Sequence, residues 1–338
     1  MHIATLRIDL AKNVFQLHGV DDRGRVVLSR RVRRSQLLEV VASLPPCVIG
    51  MEACASAHHW GRAFEKLGHT VKLMTPKYVK PYVKTNKNDC RDAEAICEAV
   101  SRPTMRFVAI KTVDQADLQA VHRSRSLLIK TRTALINPIR GLLGEYGLVM
   151  ARSPERVRPA LVELLEDERT GLTPFARETF TELYEQLVEL EQRIAKVTQR
   201  LDRVFRAHPV CRKLAAVPGI GPLTATALLA AVGRPQAFRN GRHLAAWLGL
   251  VPRQCSSGGH ARLGGLSKRG NRYVRTLLIH GARAVVQRAE RRSDTQGRWL
   301  WTLKCRKGTN VAAVALANKN ARVLWALLAH DEVYRPPA

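Results

Sequence analysis

Short apolar stretches separated by turn residues occupy the first third of the chain. This pattern predicts five strands, at residues 3–8, 14–19, 25–32, 47–51 and 71–74. The turn sequence Asp21–Gly24 predicts a hairpin between the second and third. Helical periodicity follows at residues 35–44, 57–67 and 92–100. Strands that later alternate with helices predict an α/β domain built on a mixed sheet.

The middle of the chain has helical periodicity. Residues 115–146 predict a basic helix, and residues 178–205 predict a longer one. In the longer helix, apolar residues recur at alternating four- and three-residue steps, at Leu183, Leu187, Leu190, Ile194, Val197, Leu201 and Val204. Such an a/d seam with charged flanks favours a coiled coil, between chains or in a hairpin, that assembles the protein. The alternative is a long helix packed on its own domain.

Residues 209–338 predict a mostly helical domain. Val217–Gly221, followed by an apolar helix from Pro222, is typical of a helix-hairpin-helix turn, in which Gly219 and Gly221 allow backbone N–H groups to face a phosphate. A plain interhelical turn is the alternative. Residues 256–270 predict a flexible basic loop, and residues 273–288 and 311–328 predict helices. We therefore divide the chain into residues 1–155, a coiled-coil connector at 156–208, and 209–338.

The formal net charge of +28 indicates a polyanionic partner, and nucleic acid fits best. Residues 253–307 contain fourteen Lys or Arg against two acids, so this region is expected to make most backbone contacts. The seven cysteines form no CxxC pair, which is typical of reduced thiols. No signal-peptide pattern or membrane-length apolar run is apparent. We expect a soluble, cytoplasmic protein with no membrane partner.

Four acids form the candidate metal site. Asp9 and Glu52 each end a predicted strand, and Asp89 and Asp92 open a helix three residues apart, on one helical face. Carboxylate oxygens suit Mg²⁺, or Mn²⁺ in its place. Each acid has an ordinary alternative: Asp9 in a strand-end turn, Glu52 in solvent, Asp89 as an N-cap, and Asp92 as its partner at the helix dipole.

Hydroxyls and cations cluster far downstream. Ser256 and Ser257 precede Gly258 and Gly259 in a basic segment, where an exposed hydroxyl is suited to attack phosphorus. The alternative is that both serines are ordinary loop residues in a basic linker. Cations at helical spacing around Tyr273 predict a phosphate-binding helix with a ring that stacks on a base, and a solvated basic face is the alternative. The candidate nucleic-acid-binding residues are Lys84, Lys87, Gly219, Gly221, Arg253, Arg262, Lys268, Arg269, Arg272, Tyr273 and Arg275. Trp299 and Trp301 are read either as stacking residues or as buried anchors.

These motifs resemble one transposase family. The segments at residues 7–12, 50–54 and 86–93 resemble the DEDD motif of the IS110 family, in particular its IS1111 branch. The segments at residues 218–221, 245–253 and 256–259 resemble the C-terminal transposase domain of the same family. The resemblance spans nearly the whole chain in order.

The resemblance implies a RuvC-like (ribonuclease-H-like) domain, a coiled-coil connector and a C-terminal domain with a catalytic serine. It implies that Asp9, Glu52, Asp89 and Asp92 hold the metal and that Ser257, with Ser256 as the alternative, is the nucleophile. It also implies movement of double-stranded DNA under the guidance of a non-coding bridge RNA, on the prokaryotic nucleoid. Because acids and serine lie far apart in sequence, a composite site is required, formed either by the chain folding back on itself or between subunits. The predicted coiled coil favours the second, so we expect a dimer or tetramer.

Two other functions remain open at this point. A RuvC-like nuclease would hydrolyse phosphodiesters with metal-activated water and no serine. A non-catalytic architectural protein would bind DNA through the hairpin and basic helices, with the acids and magnesium dispensable.

Overall fold

A mixed sheet of six strands organises the first part of the protein in the computed structural model, which describes residues 2–82 and 96–336. The strands are β1 (Thr5–Asp9), β2 (Val14–Val20), β3 (Val26–Arg33), β4 (Val48–Glu52), β5 (Thr70–Met74) and β6 (Phe107–Val108). The first five confirm the predicted strands, and β6 is added.

The strand order is β3-β2-β1-β4-β5-β6. β1, β2 and β3 form an antiparallel meander, and β1, β4 and β5 run parallel to one another. The turn between β2 and β3 forms as predicted, because the Asp21 carboxylate accepts hydrogen bonds from the amides of Arg23 and Arg25. This mixed sheet with flanking helices confirms the predicted ribonuclease-H-like architecture.

Short helices cover this sheet: α1 (Leu37–Ala42), α2 (Ala57–Lys66), α3 (Pro76–Val79) and α4 (residues 96–101 of the described chain). A one-turn 3₁₀ helix, Lys80–Tyr82, follows α3. Phe15, Trp60 and Phe64 pack together between sheet and helix, where each large apolar side chain contributes about 1.5–3 kcal/mol on burial. The helix at residues 96–101 packs so closely on β4 that a Cβ at Gly50 would lie 2.5 Å from Val100.

The chain divides into two compact units, residues 1–113 and 114–338. The second is mostly helical and contains α5 (Val113–Gly144), α6 (Val157–Glu166), α7 (Pro174–Ala207), α8 (Pro209–Ala215), α9 (Pro222–Ala231), α10 (Gly241–Trp247), α11 (Arg272–Gln287), α12 (Thr295–Lys307) and α13 (Thr309–Ala329). The boundaries predicted at residues 155 and 208 divide the second unit further, and they stay predictions.

The two long helices of the second unit, α5 and α7, pair in antiparallel fashion. Leu118 near the start of α5 packs with Leu201 near the end of α7, and Ile136 packs with Leu187 at the opposite end. Arg125 joins the helices midway by donating to the Thr198 hydroxyl at 2.8 Å. The predicted seam of α7 therefore packs within the chain at both ends, in a helical hairpin.

The C-terminal core surrounds α13, which packs against α10, α11 and α12. Contrary to the expectation that no apolar run has membrane length, this helix is long and apolar enough to cross a membrane by length and composition. Its Leu316 and Leu324 are nevertheless fully buried in the core, and the buried Asn320 amide donates to the Pro218 carbonyl at 2.9 Å. These contacts identify it as a core helix.

Candidate active site

Asp9 and Glu52 lie at the same edge of the six-stranded sheet. Each is the last residue of its strand, and β1 and β4 are parallel neighbours with Arg7 paired to Gly50. Two residues further along both strands, the register brings the two acids side by side, as their sequence positions predicted. Both side chains are half-buried. The arrangement therefore places two carboxylates, whose oxygens are hard ligands, at the same edge of the sheet.

The negative charges of Glu52 and Asp9 both act on the Cys54 thiol. Burial raises the pKa of the Cys54 thiol, and the negative charges of Glu52 and Asp9 raise it further. Cys54 follows β4 by two residues, where the chain turns towards α2. A site in which two carboxylates reinforce each other's field attracts cations.

Arg7 is a residue that the sequence reasoning missed. It is 1% exposed, and its guanidinium lies 3.8 Å from the Asp9 carboxylate on the same face of β1. A buried charge needs compensation, and Arg7 places its positive charge beside the Asp9 carboxylate from inside the sheet. An arginine within an otherwise apolar strand, two residues before a strand-end acid, was the available signal.

Asp89 and Asp92, together with Lys84 and Lys87, lie outside the described residues. Among residues 2–82 and 96–336, no group of three or more His, Cys, Asp or Glu could hold a metal ion. The described half of the predicted metal site is therefore the pair Asp9 and Glu52, whose carboxylates fit a hard divalent cation.

The serine segment is a β-hairpin. The prediction of a flexible loop at residues 256–270 was wrong, because β7 (Pro252–Gln254) pairs with β8 (Leu263–Leu266) and a bridge joins Ser257 to His260. Gly258 and Gly259 have φ of 56° and 78°, and the His260 amide donates to the Ser257 carbonyl. Two consecutive positive φ values define a type I′ turn, which two glycines form without strain.

The two serines of this hairpin have different surroundings. The Ser256 hydroxyl accepts hydrogen bonds from the Gln254 side chain at 3.0 Å and from the Arg262 amide at 3.3 Å. The exposed Ser257 hydroxyl forms no hydrogen bond within the part of the chain that the structure describes. Ser256 braces the hairpin, whereas Ser257 is presented to solvent.

Arg275 lies beneath this hairpin. It is 7% exposed, and its guanidinium donates to the carbonyls of Leu248 and Arg269 at 2.9 Å each. Burial lowers the pKa of Arg275, with a smaller effect from Arg272. The phosphate contact predicted for Arg275 would have to be made by a guanidinium that is almost fully buried and already donates to two carbonyls. The structure instead uses its charge to join the chain before β7 to the chain after β8.

Tyr273 is also engaged inside the protein. Its hydroxyl lies 3.0 Å from His122 Nδ1, and its half-buried ring packs edge-on against the His122 ring. Burial raises the pKa of the Tyr273 hydroxyl. Stacking on a base, as predicted, would require the ring to leave this contact.

The predicted helix-hairpin-helix is present as α8, a glycine turn and α9. Gly219 has a φ of 88° and packs on Gly281 of α11, where a Cβ on Gly281 would lie 1.8 Å from the Gly219 carbonyl. Close helix packing thus accounts for Gly219. Gly221 is exposed at the start of α9, with open space beside it, and remains available to a phosphate.

The other predicted phosphate-binding cations of this unit are exposed. None of them forms a salt bridge with an acid within residues 96–336; they are Arg253, Arg262, Lys268, Arg269 and Arg272. Trp299 and Trp301 are partly exposed, with Lys319 and Lys304 over their rings at 5.1 Å and 4.9 Å. Neither indole is a buried anchor.

Comparisons with known proteins match both parts of the chain. Residues 7–148 match the family model of DEDD transposases of the IS110 type, and residues 211–297 match the model described as "Transposase IS116/IS110/IS902 family". A probable family 20 transposase of Pseudomonas aeruginosa is 50% identical, over 99% of this chain and 100% of its own length.

Two further relatives cover almost the whole chain. The transposase for insertion sequence element IS1111A of Coxiella burnetii is 49% identical, over 98% of this chain and 92% of its own length. The transposase for insertion sequence element IS1328 of Yersinia enterocolitica is 38% identical, over 98% of this chain and 99% of its own length.

Proposed function

Because this chain belongs to the IS110 family of transposases, enzymes of DNA phosphoryl transfer that move an insertion sequence, we propose that its acids and Ser257 together cut and rejoin DNA. The observation that carries this proposal is the alignment of Asp9 and Glu52 at the ends of neighbouring parallel strands. The substrates are the double-stranded element ends, or their circle junction, and the target.

The proposed metal ligands are Asp9, Glu52, Asp89 and Asp92, with Mg²⁺ or Mn²⁺ as the ion. Asp92 precedes the described part of α4 by four residues in the sequence, and α4 packs on Gly50, two residues before Glu52. That packing supports a common site for all four acids. The chemistry supplied by a bound ion would be neutralisation of the phosphate charge and stabilisation of the leaving oxygen. Arg7 positions Asp9 for it.

Ser257 is the proposed nucleophile. Its Oγ forms a bond to phosphorus, the bond from phosphorus to a deoxyribose oxygen breaks, and the serine proton passes to a base, for which exposed His260 at the other end of the turn is the nearest candidate. The released sugar oxygen takes up a proton. In rejoining, a strand hydroxyl attacks the phosphoserine and Ser257 recovers its proton, so no bond energy is lost between the two steps.

A trapped protein–DNA adduct tests the serine. We expect denaturing gels of the full-length protein with junction DNA and Mg²⁺ to show an adduct that Ser257→Ala abolishes. Ser256→Ala is the matched control, because it removes a hydroxyl one residue away that braces the hairpin, and it should retain the adduct. Strand exchange by both variants without any adduct would contradict the serine nucleophile.

We further propose that the acids of one protomer act with the serine of another. The α7 seam packs within the chain through Leu187 and Leu201, whereas Leu190, Ile194 and Val197 between them are only half-buried. That central stretch is the proposed contact between chains. Asp9→Asn and Ser257→Ala proteins should each be inactive alone and regain strand exchange when mixed. A mixture that stays inactive would indicate a site completed within one chain.

A non-coding RNA from the element's flank is the proposed guide, and the bacterial cytoplasm, on the nucleoid, is the proposed location. The support is the net charge of +28, which suits two nucleic-acid partners, together with the family resemblance. Purified protein should insert donor DNA only when the flanking transcript is supplied, and a mutated pairing segment in that RNA should redirect the target. Equal insertion without RNA would contradict the guide.

A further inference from the structure

A basic cavity lies on the sheet of the first unit, outside every residue assigned above. It has a volume of about 610 Å³ and is lined by Asn13, Val14, Arg33, Arg34, Ser35, His59 and Trp60. Six of these seven residues are exposed, so the cavity is shallow. A small-molecule site buries most of its ligand, so an open cavity of this kind suits part of a polymer.

The chemistry of the lining favours a phosphate. Arg33 forms no ion pair with an acid among the described residues, and Arg34 lies over the Trp60 ring at 5.3 Å, with only the Lys12 carbonyl as a side-chain hydrogen-bond acceptor. Guanidinium groups without a carboxylate partner bind phosphate oxygens through several donors. The Asn13 amide and the Ser35 hydroxyl add neutral donors, the usual complement at a nucleic-acid backbone.

Trp60 forms the floor of the cavity. It is 5% exposed, and its indole nitrogen is buried without a hydrogen-bond partner in the described chain. The ring is fixed by Phe15 and Phe64 beneath it and by Arg34 above it. These ring and cation contacts hold the indole in place at the base of the cavity.

The cavity is close to the carboxylate edge of the sheet. Asp9 pairs with Gln16 on β2, and Val14, two residues away, pairs with Arg33 on β3. Two strand spacings and two residues along the strand separate the Asp9 and Arg33 backbones by about 12 Å. That distance corresponds to about three or four base steps of duplex DNA.

We propose that this cavity is a phosphate-binding subsite that holds the backbone of the DNA strand beside the Asp9–Glu52 edge. The proposal rests on the assignment of those acids to DNA cleavage. Arg33 is the phosphate ligand, Arg34 shapes the cavity against Trp60, and Asn13 and Ser35 complete the donors. By fixing a phosphate a few bases from the cut, the subsite sets the register of the strand.

The test measures binding of duplex junction DNA to the full-length protein over a salt series, for wild type, Arg33→Gln and Arg23→Gln. Arg23 is the matched control because it is an exposed arginine at the opposite end of the same β2–β3 hairpin. One lost phosphate contact should weaken binding about 8-fold at 0.1 M salt and reduce the slope of log K against log salt by about 0.9. Arg23→Gln should keep the wild-type slope.

Two results would overturn the subsite. The first is an equal loss of DNA affinity in Arg33→Gln and Arg23→Gln, which would indicate only a general electrostatic attraction. The second is a salt slope for Arg33→Gln that equals that of the wild type. The same series with single-stranded RNA of equal length identifies the strand, since a loss confined to RNA would refute the DNA assignment. Unchanged melting temperatures show that both variants are folded.

Neutral linkages locate the contact. A methylphosphonate placed at one DNA linkage at a time should weaken wild-type binding at a position about three or four bases from the cut, and should weaken Arg33→Gln no further there. Additive losses at every linkage would contradict the contact. Asp9→Asn separates the two proposals: full strand exchange by that variant would remove the proposed function, while the Arg33 binding result would still stand or fall by itself.

Discussion

Replacing Arg275 with methionine gives a direct test of how the C-terminal unit uses its cations. The guanidinium donates two hydrogen bonds of 2.9 Å to carbonyls of the chain on either side of the serine hairpin, and it is 7% exposed. A hydrogen bond from a charged donor contributes about 1.5–3 kcal/mol. Since burying the charge offsets part of two such bonds, we expect Arg275→Met to destabilise the unit by about 3 kcal/mol.

The matched control is Arg272→Met, one helical turn earlier and exposed. In thermal unfolding we expect Arg275→Met to lower the melting temperature by about 6–12 °C and Arg272→Met to leave it unchanged. Hydrogen exchange should quicken in Arg275→Met at the amides of Ser267 and Lys268, which bond to Val251 and Gly249 at the base of the hairpin. In DNA binding we expect the opposite ranking of the two variants: Arg272→Met should reduce the slope of log K against log salt, and Arg275→Met should not.

A stable Arg275→Met protein with a salt slope reduced by about 1 would refute this reasoning. It would mean that the guanidinium leaves the two carbonyls to bind a phosphate, as its helical spacing with Arg272 suggested from sequence.

Three further predictions concern the same unit. Gly281→Ala should destabilise it strongly, because the new Cβ would lie 1.8 Å from the Gly219 carbonyl, whereas Gly221→Ala, in open space, should cost well under 1 kcal/mol in urea unfolding. Gly259→Val should abolish adduct formation without global unfolding, because a β-branched residue at a φ of 78° opens the type I′ turn beside Ser257. Burial, with a smaller effect from Arg125, lowers the pKa of His122 to about 4 from 6.5. Since the unfolded chain therefore takes up the proton first, stability should fall by up to about 3 kcal/mol between pH 6.5 and pH 4, and His122→Gln should flatten that decline.

The acid edge of the sheet could be predicted because it depends on local pattern. Apolar stretches that end at Asp9 and Glu52 predicted strands, and parallel neighbours bring their last residues together. Arg7 was missed because the apolar pattern of β1 marks the arginine as unusual but does not show whether its side chain is buried. Its burial depends on which strands lie on either side of it.

The C-terminal site was predicted less well, because its side chains are engaged by distant residues. From their helical spacing, Tyr273 and Arg275 looked like surface residues. In the structure Tyr273 contacts His122 and Arg275 donates to the Leu248 carbonyl, and both partners are distant in sequence. The glycines after Ser257 suggested flexibility, yet two consecutive glycines are also what a type I′ turn requires. Composition alone did not separate a loop from a hairpin.

That difference matters for the chemistry. A nucleophile in a flexible loop loses conformational entropy each time it aligns with phosphorus, whereas a hairpin tip has already lost it. Ser256 braces the tip and Arg275 joins its base to the core, so Ser257 is the hydroxyl presented by a hydrogen-bonded hairpin. The acids and Ser257 nevertheless belong to different compact units. If the acids and Ser257 form one site as proposed, each part is complete within its own unit, and we expect strand breakage only in assemblies that bring the two parts together.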